Sequence, residues 1–225
     1  MTQGSMPPRH KTHSLREKPG ESFWSGPDLV VPTMRVHRSF LAAAEEFHRE
    51  GRATELDVGQ LLDPGRFAAY VGHLLAEALR ETPRRLGWVP CTHLWLVDGS
   101  EYLGRLAIRH ALTDWLRQVG GHIGYEVRPT ARRQGHATRM LAMGLPVAAS
   151  LGIDPALITC DVDNIASRRV IEANGGQLEA SRNGKLRFWV PTGRPSRASA
   201  GEGRGSGGPW TPEPPPHQPD GPLEH

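Results

Sequence analysis

Two stretches of this 225-residue chain place side chains at spacings that could do chemistry. In the first, Arg132-Arg133-Gln134-Gly135-His136-Ala137-Thr138 follows an extended run stopped by Pro129 and opens directly into an amphipathic helical period. Glycine at 135 lets backbone approach a ligand without a Cβ, and Ala137 is small for the same reason. A helix start there offers unpaired N–H groups and partial positive charge, which suits a phosphate or pyrophosphate. From Val127 to Ile153 there is no Asp or Glu, while Arg128, Arg132, Arg133 and Arg139 are present. An ordinary strand-to-helix turn with a solvated basic face has the same composition. Placement after a strand and at a helix start favours the anion site.

In the second stretch, His122, Gly124 and Glu126 alternate with apolar residues, so strand geometry predicts them on one face. His122 titrates in the range needed to take a proton from an amine, and Glu126 is a second base or the electrostatic partner of His122. A core histidine with satisfied hydrogen bonds is the alternative for His122, and His110 is a weaker candidate base. Cys91 and Cys160 lie far apart and form neither a disulfide framework nor a zinc cluster, so no metal is expected. The folded body, 34–192, has no Walker lysine, no complete G-x-G-x-x-G and no G-x-S-x-G elbow. Nucleotide hydrolysis, dinucleotide redox chemistry and elbow-serine hydrolysis are therefore disfavoured.

The elements that must position these residues follow from hydrophobic period. Residues 36–50 read as a helix, and Asp63-Pro64 caps a second over 67–79. Strands over 93–97 and 103–108 flank an Asp98-Gly99 hairpin turn, and 122–128 is a third strand. A helix over 135–151, kinked by Pro146, precedes strand 157–161 and helix 165–174. Asn183-Gly184 joins two last strands, 176–181 and 186–190. The order predicts a mixed α/β fold rather than a purely parallel doubly wound sheet.

Composition divides the chain at both ends. Residues 1–33 are polar and aperiodic and read as a disordered N-terminal extension; 34–192 are the folded body. Residues 193–225 are rich in Pro and Gly and read as a disordered tail, ending in Leu223-Glu224-His225, which looks like a tag remnant. No apolar run is long enough to span a bilayer, and the N-terminus lacks a secretory apolar region. A cytoplasmic protein without a membrane partner is the expectation. Formal charge is +3 and the arginines lack interleaved aromatics, so nucleic acid is not expected either.

Residues 121–138, through Arg132-x-x-Gly135-x-Ala137, resemble the acyl-CoA motif [QR]-x-x-G-x-[GA] of the GNAT superfamily of N-acetyltransferases. Asn164-Ile165-Ala166-Ser167, leading a helix that ends at Asn174-Gly175, is similar to that family's second motif. From Trp88-Val89-Pro90 to Lys185-Leu186-Arg187-Phe188-Trp189 the chain resembles a bacterial subgroup of predicted acetyltransferases. The resemblance implies a central, mostly antiparallel sheet whose parallel strands splay at an acyl-CoA site, flanked by helices. It implies acetyl-CoA as cosubstrate and direct transfer to a primary amine of a small molecule or peptide, by a monomer or homodimer. By the same resemblance, Val127 pairs with the pantetheine arm, and Arg132, Arg133, Gln134, Gly135, His136, Ala137 and Thr138 wrap the pyrophosphate. Asn164 and Ser167 face the pantetheine or thioester, and Arg168 or Arg169 is an option for the 3′-phosphate. Many relatives carry a general-acid tyrosine where this chain has Ile171. That departure keeps a non-catalytic acyl-CoA-binding module open as the alternative.

Overall fold

The protein, seen in a computed structural model, is described over residues 26–193. Five helices and seven strands follow one another as β1 (Asp28–Val30), α1 (His37–Arg49), α2 (Val58–Leu61), α3 (Pro64–Ala76), β2 (Cys91–Asp98), β3 (Glu101–Arg109), β4 (Ile123–Val127), α4 (His136–Ser150), β5 (Ala156–Asp161), α5 (Ile165–Ala173), β6 (Gln177–Arg182) and β7 (Lys185–Val190). Local chemistry explains the boundaries. The Asp63 carboxylate accepts the Arg66 N–H at 2.8 Å, and Pro64 at the first helical position needs no acceptor of its own. Asn183 and Gly184 both take positive φ, 51° and 72°, as a two-residue hairpin turn requires.

Strands β1-β2-β3-β4 form one antiparallel sheet and β5-β7-β6 a second. β1 was not legible in the sequence. Three residues inside the stretch read as a disordered extension pair with β2, Asp28 opposite Val97 and Val30 opposite Trp95. Its three residues are too few to show a period in the sequence, yet Leu29 packs on one core and Val30 on the other once the strand pairs with the sheet edge. The rest of that extension, and the Pro/Gly-rich tail from Arg194, lie outside the described residues.

The two faces of β2 explain the packing. Leu94 and Leu96 join Leu106, Ile108, Met140 and Leu141 in a core under α4. Trp95 and Val97 point the other way, into a core with α1 and α3. Phe40, Trp95 and Tyr102 meet there with ring centroids 5.0–5.5 Å apart. Phe40 stacks on Trp95 and both meet Tyr102 edge to face, and such pairs add about 0.5–1.5 kcal/mol each beyond their burial. α4 is one helix from His136 to Ser150 with Pro146 inside it. No helix among the described residues is long and apolar enough to cross a membrane.

The two sheets meet where β4 and β5 start. His122 N–H donates to the Leu157 carbonyl at 2.7 Å. Tyr125, near the end of β4, reaches Ser167, beyond the end of β5. The strands therefore run in the same direction, joined at their origins, with no ladder between them further on. This is the splayed geometry a β-α-β crossover through α4 produces when its strands diverge.

Candidate active site

The loop after β4 forms a row of main-chain donors. Pro129–Ala131 makes one 3-10 turn, Arg133 takes φ 65° and Gly135 φ 82°. Gly135 is the N-cap of α4 with no side-chain cap, and among the described residues no acceptor meets the N–H groups of 133 to 138. A Cβ at Gly135 would find open space within 4 Å, and Arg133, Gln134 and Gly135 are exposed. His136, Ala137 and Thr138 form the first helical turn and are half-buried. Successive N–H groups without an acceptor among the described residues, at the positive end of a 15-residue helix, are an arrangement that suits an anion.

Two carboxylates one turn apart, Glu46 on α1 and Glu50 at its C-cap, hold this loop, a feature the sequence reading missed. Glu46 is buried and accepts from Arg128 Nε at 2.7 Å, Thr130 N at 3.1 Å and Thr130 Oγ1 at 2.9 Å. Burial by itself would raise the Glu46 carboxyl, but the Thr130 N–H and Arg128 outweigh it and hold it below the usual range. Glu50 takes both guanidinium nitrogens of Arg132 at 2.7 Å, and Arg132 Nε donates to the Val127 carbonyl at 3.2 Å. Arg128 and Arg132 are thus engaged with α1. The i, i+4 spacing of Glu46 and Glu50 was the available signal.

At the vertex of the splay, Gly121 sits at φ 63°, and a Cβ there would lie 2.5 Å from the Leu157 carbonyl oxygen. This turn keeps His122 out of β4, so the expected shared face with Glu126 is not formed. His122 Nδ1 accepts the Leu157 N–H at 2.9 Å. Burial, then Arg117 and Arg109, lower its pKa to about 4. His110, the weaker candidate, bonds Thr92 Oγ1 at 2.8 Å.

Further along β4, the Arg128 N–H donates to the Leu103 carbonyl. Antiparallel alternation then turns the main-chain groups of Tyr125 and Val127 away from β3, towards the gap between the sheets. Tyr125 Oη lies 2.8 Å from Ser167 Oγ, and burial pushes the phenol up to about 12. Asn164 Oδ1 caps α5 by accepting the Ser167 N–H at 3.0 Å, leaving its amide N–H groups outward. Ile171 is fully buried, and Arg168 pairs with Glu172 at 2.8 Å on the helix surface.

A cavity of about 690 Å³ opens on the α1/α3 face of the first sheet. Ala107 and Gly124, cross-strand neighbours with little or no side chain, form its floor. Glu126 lines it, held by Arg105 at 2.5 Å and Arg52 at 2.8 Å, whereas His122 does not. Trp88 and Trp115, both largely exposed, stand on its rim. Glu77 and His93 face it as a pair, His93 Nε2 lying 2.7 Å from Glu77 Oε2.

A family model described as the acetyltransferase (GNAT) domain matches residues 37–177. No curated protein matches the sequence. Among solved structures the fold is similar to that of the microcin C7 self-immunity acetyltransferase MccE in complex with acetyl-CoA and AMP, at 13% identity over 73% of this chain and 92% of that one, TM-score 0.51. It is also similar to Mycobacterium smegmatis RimJ in complex with CoA-disulfide, at 22% identity over 74% and 86%, TM-score 0.51. The ribosomal-protein-S5-alanine acetyltransferase of Vibrio fischeri matches at 11% identity over 75% and 93%, TM-score 0.52. At these identities the likeness is one of fold.

Proposed function

The chain belongs to the GNAT acetyltransferase family, and from that premise we propose that it moves the acetyl group of acetyl-CoA directly to a primary amine of a small molecule or peptide. The observation that carries this reading is the row of N–H groups from 133 to 138 at the head of α4, unpaired among the described residues, beside a splay that exposes the main chain of β4. MccE and RimJ were solved with acetyl-CoA and a CoA-disulfide, which supports the same cosubstrate here.

In this reading the 133–138 donors hold the pyrophosphate, and Val127 offers its main chain to the pantetheine amides. The outward N–H of Tyr125 polarises the thioester carbonyl and stabilises the oxyanion that forms when the amine attacks. As the carbon–sulfur bond breaks, Ser167 donates its hydroxyl proton to the departing thiolate, Tyr125 passes its proton to Ser167, and the proton shed by the attacking amine returns to Tyr125 through water in the cavity. Asn164 keeps Ser167 in place and presents its amide to the cosubstrate. Glu126, fixed by two arginines on the cavity wall, anchors the incoming amine. His122 positions the vertex rather than moving a proton.

This hydroxyl pair answers the departure at Ile171: the proton donor comes from β4 and the first turn of α5, so a binding module without turnover is not required. Calorimetry with acetyl-CoA tests the cradle, and thiol release with a panel of small amines and peptide N-termini tests the transfer. Gly135→Glu sets a carboxylate against the pyrophosphate and strains a left-handed residue, so acetyl-CoA binding is lost in a folded protein. Unchanged affinity in that variant would remove the cradle assignment.

A further inference from the structure

Outside the acyl-transfer machinery, three metal-ligating side chains converge on the cavity wall from separate places in the chain. Cys91 and His93 are two residues apart on β2 and therefore share a face. Glu77 follows the last turn of α3, and its carbonyl accepts the Cys91 N–H at 2.9 Å, which locks the two segments together. One ligand atom from each of Glu77, Cys91 and His93 lies within 4.8 Å of the other two. All three residues are half-buried and all three line the cavity.

We propose that Glu77, Cys91 and His93 bind a zinc-type divalent ion on the wall of this cavity, with the remaining coordination position open to whatever the cavity holds. A thiolate, an imidazole and a carboxylate are the donor types zinc takes, and the sulfur and nitrogen disfavour magnesium and calcium. In a tetrahedral site with bonds of about 2.0–2.3 Å, neighbouring ligand atoms stand about 3.4–3.6 Å apart. The second oxygen of Glu77 is already held, His73 Nε2 lying 3.1 Å from Oε1. An outer partner that orients a ligating carboxylate is a regular feature of built metal sites. Three protein ligands with one open position is the arrangement that lets a bound ion polarise water or take a donor atom from a substrate. The proposal does not depend on the acyl-transfer reading.

The test is a cobalt titration of the chelator-treated full-length chain, followed by displacement with Zn²⁺. One equivalent of Co²⁺ gives a thiolate-to-cobalt charge-transfer band and the strong visible absorption of a four-coordinate ion, and Zn²⁺ removes both. Cys91→Ser abolishes the charge-transfer band, and Cys160→Ser leaves it intact. His93→Gln and Glu77→Gln each weaken Zn²⁺ at least tenfold, since outer-partner changes alone cost about 10–100-fold. Circular dichroism establishes that each variant is folded; if Cys91→Ser is not, the His93→Gln affinity decides. No saturable cobalt absorption, or a band that persists in Cys91→Ser, overturns the site and leaves His93–Glu77 as a simple hydrogen-bonded pair. Acetyl-CoA calorimetry on the wild type runs in parallel, and its failure counts against the transferase reading alone.

Discussion

The imidazole Nδ1 of His122 accepts the N–H of Leu157 at 2.9 Å, while the His122 main-chain N–H donates to the Leu157 carbonyl at 2.7 Å. One residue thus makes both bonds that tie the two sheets at the point where they diverge. Its pKa near 4, against 6.5 in the unfolded chain, has a definite sign. Above pH 6.5 neither state is protonated and the stability is fully present. As pH falls from 6.5 through about 4 the unfolded chain binds a proton the native state refuses, and stability declines. His122→Ala leaves the Leu157 N–H without its acceptor and destabilises by about 1–3 kcal/mol. His122→Asn restores an oxygen near the Nδ1 position and flattens the decline between pH 6.5 and 4. Urea unfolding across that range checks both, and a wild-type slope preserved in His122→Asn would assign it to another group.

Gly121 makes the same vertex possible from the backbone side. A methyl group there meets the Leu157 carbonyl oxygen at 2.5 Å, and the residue sits at φ 63°. Gly121→Ala should cost about 2–4 kcal/mol, the left-handed penalty plus overpacking against main chain. Gly135→Ala should cost only about 1–2 kcal/mol, because the added atom meets nothing within 4 Å. Thermal unfolding of the two variants side by side measures the difference.

With acetyl-CoA on the 133–138 row as proposed, Arg132 acts on it through the loop it holds. Removing its bonds to Glu50 and to the Val127 carbonyl frees the segment that carries the N–H row. Arg132→Ala should raise the acetyl-CoA Kd by about tenfold, the scale of one charge-assisted hydrogen bond. Glu50→Gln should act in the same direction and more weakly. Calorimetry in low and moderate salt decides whether Arg132 works by position or by direct charge. A position effect survives the added salt.

Ser167 and Tyr125 should separate chemistry from binding. Ser167→Ala lowers kcat by about 10²-fold, the lower end for loss of a positioned proton donor, with acetyl-CoA affinity nearly unchanged. Tyr125→Phe keeps the ring in the core and removes only the partner of Ser167, so its loss is smaller. Thiol release at saturating acetyl-CoA, paired with calorimetry, reads both. A Ser167→Ala enzyme at full rate would pass the proton transfer to solvent.

Local signals were legible because they are written in neighbouring residues. Asp63-Pro64 specifies a helix start, Asn183-Gly184 a hairpin turn, and Arg132 to Thr138 a strand-to-helix loop, each through φ preferences and capping bonds over a few positions. The two motifs and the α/β order that places them follow from the same short-range rules. Relations between distant segments were not legible. Nothing near His122 announces that its ring reaches Leu157, 35 residues on, instead of sharing a cavity with Glu126. Glu46 and Glu50 reveal their hold on the 128–132 loop only once α1 packs beside it. Cys91, read as an isolated cysteine, stands beside His93 by strand alternation but meets Glu77 only because α3 ends against β2. The sequence by itself determined most of the elements and the strand-to-helix loop over 132–138, since periodicity, caps and turn residues act within a few residues of one another, and its two motifs carried the resemblance to the family. Only the tertiary structure decided which side chains share a cavity, because hydrogen bonds and packing across the two sheets select partners that no local spacing encodes.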